Sequence, residues 1–351
     1  MKFRSAACAA LAVCSVALTG CSGSDGVSLG HDWKGSETFV TANVSGHTVV
    51  VGIDPAARHA QSLAVVPSED GDDDVLAPQL VQFADGRWML TTPRKGNRPD
   101  RFFEVDPAAG RLEEKAHGTD RLRQLAPGSR LVAAVYGVSS GGGGAQTATA
   151  GGDSTSVLVH DAATWRTVRE ARAPGAVALA ASDPGSDTLC VTSGEGADAR
   201  ASVVDLGTGR VTAAGTAGGV QVQQLACPGG KPVLVGTPAA PGRTARATLT
   251  RRRAGAATVV TVDGGRVDAA EASGNTLVAA VNTGDDTDLV AYDTAAGREV
   301  HRVHIRGMDN SLLLRHTRSG WLLVSDDTAT VVDLDRGTAR TFGLPGTLTS
   351  F

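Results

Sequence analysis

The chain has 351 residues, of which 41% are hydrophobic and 20% are charged, and its net charge is −4 at pH 7. This apolar content excludes an intrinsically disordered chain and is sufficient for a sizeable core. Proteins that bind nucleic acids need a basic surface for their phosphate contacts, and a mildly acidic net charge makes such a surface a poor expectation. We therefore expect no nucleic-acid partner.

The amino terminus has the pattern of an export signal. Lys2 and Arg4 precede an uncharged run of small and apolar residues at 5–19. This run is too short to span a bilayer comfortably as a mature helix, and no apolar run of that kind occurs downstream. We therefore predict a signal peptide over residues 1–20.

The signal peptide ends in the segment LTGC at residues 18–21, which resembles the lipobox of bacterial lipoproteins. In that family the cysteine thiol is alkylated by diacylglycerol and the leader is cleaved before it. The resemblance implies a lipid on Cys21 and a membrane-anchored, extracellular protein on the extracytoplasmic face of the cell membrane. An ordinary secretory leader followed by a coincidental cysteine is the alternative. The Ser- and Gly-rich residues that follow predict a flexible tether over 21–35 and a folded domain over 36–351.

The cysteine count becomes even once the leader is removed. Of five cysteines, Cys8 and Cys14 lie in the leader and Cys21 would carry the lipid. Cys190 and Cys227 remain, and an even pair in an oxidising compartment predicts one disulfide. Two buried free thiols are the alternative. Neither cysteine has the spacing of a zinc ligand, so we expect no metal there.

A short phrase recurs along the body of the chain: a Val-rich strand that ends in Asp, a tight turn with Gly or Ala, an Arg, and a second strand. The aspartates of these turns are Asp54, Asp106, Asp161, Asp205, Asp293 and Asp333, with a degenerate copy at Asp263. An Asp at the start of a turn accepts backbone N–H groups, and a Gly near its end supplies a positive φ. We interpret these aspartates as turn formers and assign no catalytic residue among them.

A second phrase, strand, Gly turn, strand, alternates with the first. Together they define units of four strands, A to D, of about 45 residues, which is typical of propeller blades. The predicted units are 36–70, 71–118, 119–173, 174–218, 219–264, 265–306 and 307–351. The sequence therefore predicts an all-β, seven-bladed β-propeller of four-stranded antiparallel blades, with six or eight blades as alternatives. The first unit is one strand short, and we expect residues 344–351 to complete it.

The turns VVDLGTGR, VAYDTAAGR and EVDPAAGR resemble those of the YVTN and quinoprotein-like, or WD40-like, seven-bladed propellers. The resemblance covers nearly all of the chain after the leader and implies the fold. The repeated Trp tags of quinone-dependent propellers do not recur, and the Gly-His and Trp-Asp pairs of WD40 blades are missing. We therefore expect no quinone and no other cofactor.

In this strand order the B–C and D–A connections share one face, which we call the variable-loop face. The A–B and C–D turns share the opposite face, the short-turn face. Long loops on a rigid scaffold commonly carry binding sites, so we predict a binding rim on the variable-loop face. The alternative is that these loops are merely solvated and that their charges keep the surface soluble. The candidate rim residues are Arg94, Lys95, Arg98, Glu195, Arg243, Asp285, Asp286, Asp288, Asp326 and Asp327.

Other motifs give weaker signals. The segment GVSSG at 137–141 matches GxSxG but lacks the following helix that a Ser139 nucleophile would need. The acidic run at 69–74 lacks the Gly and Glu of a calcium loop. His301 and His304 lie three apart on a strand and so face opposite sides. Arg251 to Arg253 are typical of an outer edge strand that resists further pairing.

These observations favour a monomeric, lipid-anchored propeller that acts as a binding or protein-interaction scaffold for a polar ligand or a protein. The alternative is an exported propeller enzyme, either a lactonase-like hydrolase or a lyase. It would use a divalent metal at the channel mouth. Convergence of carboxylates from separate blades would favour the enzyme, and a mouth lined by Ala, Val and Gly would favour the scaffold.

Overall fold

The computed structural model describes residues 26–67, 78–92, 100–117, 122–136, 154–194, 196–239 and 247–349. These residues form seven four-stranded sheets whose inner strands contact one another in sequence, so the protein is a seven-bladed β-propeller. In the described ranges the helical content is confined to 3₁₀ turns at Gly196–Asp198 and Pro228–Gly230. The predictions of an all-β chain and of seven blades are confirmed.

Each blade runs from an inner strand at the channel to an outer strand at the surface. Blade one comprises β28 (Thr347–Leu348), β1 (Thr38–Val44), β2 (His47–Asp54) and β3 (His59–Val65). Blade two comprises β4 (Gln79–Gln82), β5 (Trp88–Thr92), β6 (Arg101–Asp106) and β7 (Arg111–His117). Blade three comprises β8 (Leu122–Pro127), β9 (Leu131–Tyr136), β10 (Ser154–Asp161) and β11 (Thr167–Pro174). Blade four comprises β12 (Val177–Asp183), β13 (Thr188–Ser193), β14 (Arg200–Asp205) and β15 (Val211–Thr216).

The remaining three blades complete the ring. Blade five comprises, from the channel outward, β16 (Val220–Ala226), β17 (Val233–Pro238), β19 (Ala257–Asp263) and β18 (Thr248–Ala254). Blade six comprises β20 (Arg266–Ser273), β21 (Thr276–Asn282), β22 (Thr287–Asp293) and β23 (Arg298–Ile305). Blade seven comprises β24 (Leu313–Thr317), β25 (Gly320–Val324), β26 (Thr328–Asp333) and β27 (Thr338–Gly343). The predicted unit boundaries fall within one residue of the connections between blades.

Blade five departs from the predicted meander. After β17 the chain forms the outermost strand β18 and then returns through a hairpin to β19, which pairs in parallel with β17. The turn after Asp263 therefore joins β19 directly to the inner strand β20 of blade six. Asp263, grouped by its sequence with the recurring turns that join two strands, therefore lies at a connection between blades, because sequence identifies two strands joined by a turn but not which of them lies nearer the channel.

The aspartate turns of the other blades adopt the predicted geometry. The carboxylate of Asp106 accepts the backbone N–H groups of Ala108 and Ala109 at 3.0 Å each, and Asp293 does the same for Ala295 and Ala296 at 2.8 Å. Gly110 then takes a φ of +67°. The prediction that these aspartates form turns is confirmed where the contacts are described.

The ring closes through the end of the chain. Leu348 of β28 pairs with Ala42 of β1, and Thr347 pairs with Asn43. Thr349 continues the contact by donating its N–H to the carbonyl of Thr41 at 2.8 Å. The prediction that the carboxyl-terminal segment completes the first blade is confirmed for these residues, and 350–351 lie outside the described ranges.

The core is divided among the interfaces between blades. The described residues form seven buried apolar clusters, one at each of the seven contacts between neighbouring blades. Along β21, Leu277, Ala279 and Val281 face blade five, whereas Val278 and Ala280 face blade seven. This period of two is expected of a strand whose sheet is covered on both faces.

Residues 27–35, which the sequence analysis placed in the tether, contact the propeller. Val27 packs against the cluster between blades seven and one. Trp33 is buried beside Phe39, at 6.3 Å between ring centroids, and its side chain lies against Gly110 of blade two. The packed part of the chain therefore begins before residue 36.

The predicted disulfide is present. Cys190 of β13 is bonded to Cys227, which follows β16, and their Cα atoms are 5.6 Å apart. Both cysteines are buried in the cluster between blades four and five. The bond therefore links two neighbouring blades covalently.

The closure contact generates a stability prediction. Leu348→Ala removes a buried side chain from the cluster between blades seven and one, so we expect the free energy of unfolding to fall by about 2–5 kcal/mol in denaturant titration. Thr347→Ala, at the exposed neighbouring position, is the control and should change it by less than about 0.5 kcal/mol. Equal effects of the two variants would contradict closure by this side chain.

Candidate functional site

The structure describes five of the ten predicted rim residues. Five of the ten, Arg94, Lys95, Arg98, Glu195 and Arg243, lie outside the described residues. Of the other five, Asp285, Asp286, Asp326 and Asp327 lie on the B–C connections of blades six and seven, at the variable-loop face, and Asp288 is the second residue of β22. Their side chains do not come together in one site.

The carboxylates of blade six hold the outer strand of their own sheet. Asp288 is buried and accepts Arg302 Nη1 at 2.5 Å and His304 Nδ1 at 2.8 Å. Asp286 lies 3.3 Å from His304 Nε2 and accepts the backbone N–H of Gly307 at 2.8 Å. These contacts occupy the carboxylates, so they serve the structure of the blade.

The carboxylates of blade seven lie where the chain returns to close the ring. The backbone carbonyl of Asp326 accepts the N–H of Leu348 at 2.6 Å, and that of Asp327 accepts the N–H of Leu344 at 2.7 Å. The side chains of Asp326, Asp327 and Asp285 are exposed. Within the described ranges none of these three carboxylates forms an ion pair.

A recurring glutamine joins the inner strands of neighbouring blades. Gln79 of blade two accepts the N–H of Leu125 at 2.9 Å and donates to the carbonyl of Arg123 in blade three. Gln124 of blade three accepts the N–H of Ala180 at 3.2 Å and donates to the carbonyl of the same residue in blade four. Each side chain thus satisfies a backbone donor and acceptor that the channel would leave unpaired.

The same arrangement continues in blade five with two residues. Gln223 accepts the N–H of Val267 at 2.9 Å, and Gln224 donates to the carbonyl of Asp268 at 2.7 Å. In blade four the position equivalent to Gln124, directly after the bulge of the inner strand, is Leu179. This interface is the one that the disulfide crosses.

A cavity of about 630 Å³ opens at the variable-loop end of the channel, between the inner strands of blades five, six and seven. Its polar lining residues are Gln223, Gln224, Arg266, Asp268, Asn310 and Ser311. A second cavity of about 350 Å³, between blades four and five, shares Gln223 with it. The channel mouth is therefore lined by amide, hydroxyl and charged groups as well as by apolar ones.

The charged groups of this cavity are paired. Arg266 Nε lies 2.6 Å from Asp268 Oδ1, and the hydrogen bond raises the pKa of the Arg266 guanidinium above its usual value. Asp268 is buried and also accepts the N–H of Ser311 at 3.2 Å through its other oxygen. The hydroxyl of Ser311 is buried and has no hydrogen-bond partner among the described residues. A bound ligand could supply that partner.

The short-turn end of the channel holds two charged groups of opposite sign, Arg315 and Glu271. Burial lowers the pKa of Arg315 to about 10, against the opposing charge of Glu271. Burial also raises the pKa of Glu271, which accepts the N–H of His316 at 3.1 Å. The Arg315 guanidinium lies 4.5 Å from the ring centroid of Trp88 and donates to Thr38. These contacts connect blades six, seven, one and two.

The described ranges contain no group of three or more His, Cys, Asp or Glu side chains arranged to hold a metal ion. Nor does any helix there have the length and apolarity needed to cross a bilayer.

The rim residues predicted from the sequence do not include the residues that line the channel mouth. One signal for them was present, because the dipeptide Gln-Leu recurs at residues 79–80, 124–125 and 224–225, always in an inner strand. No comparable signal marks Arg266, Asp268 or Ser311. Arg266 and Asp268 are two residues apart on β20, and Ser311 reaches Asp268 only because blades six and seven are adjacent.

The structure describes two of the other four sequence motifs. Arg251 to Arg253 lie on the outermost strand β18, as predicted for an edge strand. His301 lies 3.5 Å from Asp335 of blade seven, whereas His304 contacts the carboxylates of blade six, so the two histidines do not share a ligand. The GVSSG segment and the acidic run at 69–74 lie outside the described residues.

No protein-family model matches the chain, and no curated protein matches it. Solved structures do match. A periplasmic gluconolactonase of Pseudomonas aeruginosa is 15% identical, with a TM-score of 0.57 over 89% of this chain and 96% of that one. A Bacteroides fragilis protein provisionally assigned as a 6-phosphogluconolactonase is 12% identical, with a TM-score of 0.58 over 88% and 95%.

A prolyl endopeptidase structure also matches, at 10% identity and a TM-score of 0.53, over 89% of this chain and 50% of that one. Several other matched proteins are likewise longer, and the chain spans 53–66% of their length. At these identities the likeness establishes the propeller fold.

The glutamine contacts generate a prediction for the channel. Gln124→Leu keeps the approximate size of the side chain but leaves the buried N–H of Ala180 without its partner, so we expect the free energy of unfolding to fall by about 1–3 kcal/mol. Gln82→Leu, at an exposed position of the inner strand in blade two, should have little effect. Denaturant titration compares the two, and an unchanged midpoint for Gln124→Leu would show that the contact is not stabilising.

Proposed function

We propose that the protein is an extracytoplasmic lipoprotein, anchored through Cys21, whose propeller binds a small polar ligand at the channel mouth on the variable-loop face. The observation that carries the binding part is the cavity between blades five, six and seven. Its buried Ser311 hydroxyl has no partner in the part of the chain that the structure describes, and the side chain of Arg266, which lines the cavity, is 58% exposed. A buried polar atom without a partner is costly, and a ligand that satisfies it gains that energy.

The lining groups indicate the class of ligand. A guanidinium recognises carboxylate or phosphate oxygens by charge-assisted hydrogen bonds. Amides and hydroxyls such as those of Gln223, Asn310 and Ser311 both donate to and accept from hydroxyl groups. The ligand we propose is therefore a small polyhydroxylated molecule with one anionic group.

The hydrolase or lyase alternative requires carboxylates of separate blades to meet at the channel mouth. Among the described residues that line the cavity, Asp268 is the carboxylate, and Arg266 and Ser311 already engage both of its oxygens. The two gluconolactonase structures share the fold at 12–15% identity, which supports the architecture but not the chemistry. Binding without catalysis is the function that this geometry supports best.

The ligand class is tested with two molecules that differ in one group. D-gluconate and sorbitol share a hydroxylated six-carbon chain, and gluconate carries a carboxylate. We expect gluconate to raise the melting temperature of the propeller more than sorbitol does, because Arg266 pairs with the carboxylate. Arg266→Gln should weaken gluconate binding by about 10–100-fold, the equivalent of losing one charged hydrogen bond, as measured by calorimetry.

The control for this experiment is Asp285→Asn, which changes an exposed carboxylate on the same face outside the cavity. It should bind gluconate as the unmodified protein does. Equal shifts with gluconate and sorbitol, or no shift with either, would exclude an anionic polyol as the ligand class.

The anchor is tested separately with two cysteine variants of the full chain produced in bacteria. Cys21→Ala should abolish diacylglycerol attachment and move the protein from the detergent phase to the aqueous phase in a detergent partition. Cys14→Ala, within the predicted leader, should leave both unchanged. Mass spectrometry of the mature amino-terminal peptide gives the direct readout, and a mature peptide without acyl chains would refute the anchor.

A further inference from the structure

Gly26, five positions after Cys21, lies on the variable-loop face. The carbonyl of Gly26 accepts the hydroxyl of Ser45 at 3.4 Å, and Ser45 lies in the turn between β1 and β2. Val27 packs against the cluster between blades seven and one, which contains Val44 and Leu344. From there the segment passes the edge of β3, where Gly30 donates to the carbonyl of Ser62, and reaches Trp33 at the short-turn face. The direction of the segment is thus fixed by contacts at both ends.

Four residues lie between Cys21 and Gly26, so their Cα atoms are five residue steps apart. A fully extended chain of that length reaches at most about 18 Å. The strands of the propeller have six to eight residues in most blades, which corresponds to about 20–26 Å between the two faces. A tether attached at Gly26 is therefore too short to pass around the blade and place the short-turn face on the membrane.

We propose that the variable-loop face, with the channel mouth, is held against the outer leaflet of the membrane, within about 18 Å at its blade-one edge. This inference rests on the anchor of the proposed function. The cavity opens on the same face, because Arg266 is the first residue of an inner strand that begins there. Its ligand would then enter from the narrow space between propeller and membrane, and the short-turn face would point outward.

The short tether, and not attraction to lipid, would maintain this orientation. The described part of the variable-loop face exposes carboxylates at Asp285, Asp326 and Asp327 and guanidinium groups at Arg266 and Arg306. This mixed charge gives no strong attraction to anionic headgroups. A longer tether should therefore release the face. This consequence distinguishes an imposed orientation from an adhesive surface.

The test uses two cysteine variants of the full lipidated chain, both in blade seven. Asp326→Cys lies on the variable-loop face, and Asp335→Cys lies on the short-turn face, where its carboxylate is 90% exposed. Both exchange an aspartate for a thiol, and Cys190 and Cys227 are joined to each other. The rate of labelling by a bulky polyethylene-glycol maleimide is measured in phosphatidylcholine vesicles and, for the same variant, in detergent.

We expect vesicles to slow the labelling of Asp326→Cys by about threefold or more, because the reagent must enter a gap set by the tether, and to leave Asp335→Cys unchanged. A flexible Gly/Ser insert of about 20 residues after Asp25, with a root-mean-square span of about 25 Å, should abolish the slowing.

Three results would overturn the proposal. Slowing of Asp335→Cys alone, or equal labelling of both positions in a chain shown by mass spectrometry to be lipidated, contradicts the orientation and leaves the anchor standing. Slowing of Asp326→Cys that persists after the insert shows that the face adheres to lipid by itself. A mature chain without lipid on Cys21 removes the anchor and the orientation together.

Discussion

A four-stranded sheet with apolar residues on both faces cannot bury them alone, and this constraint organises the whole molecule. Each sheet must be covered by a neighbour on either side, and a linear stack would leave two end faces exposed to water. The ring removes those ends. Seven buried clusters occupy the seven interfaces, so each blade contributes to two of them. The two-residue strand at Leu348 matters because it covers the last interface as well as completing a sheet.

Closure also explains the polar chemistry of the channel. Inner strands have a sheet neighbour on one side only, so their backbone groups on the channel side need partners from other blades. Gln79, Gln124 and Gln224 supply these contacts between blades. Where Leu179 stands in place of glutamine, the disulfide joins the same two blades. Beyond the glutamine contacts, Arg266 and Ser311 have remaining hydrogen-bonding capacity, and it is concentrated at the channel mouth.

The ligand site proposed at the channel mouth and the lipid tether proposed at the blade-one edge both lie on the variable-loop face. The longest connections are on that face, and so is Gly26, five positions after Cys21. The short-turn face, by contrast, is built from aspartate turns whose carboxylates are used by their own backbone. This asymmetry is a property of the meander, since B–C and D–A connections tolerate length whereas C–D turns are constrained by their hydrogen bonds.

The sequence by itself determined the strand content, the seven units, the aspartate turns and the pairing of Cys190 with Cys227, because each follows from local turn chemistry, period-two burial or a simple count. It also indicated which face carries the variable loops. Only the tertiary structure decided the exchange of strands in blade five, the occupation of Asp286 and Asp288 by His304 and Arg302, and the meeting of Arg266, Asp268 and Ser311. The first two features depend on how strands pair within one blade, and the approach of Ser311 to Asp268 depends on how blades six and seven pack. No local sequence pattern encodes either.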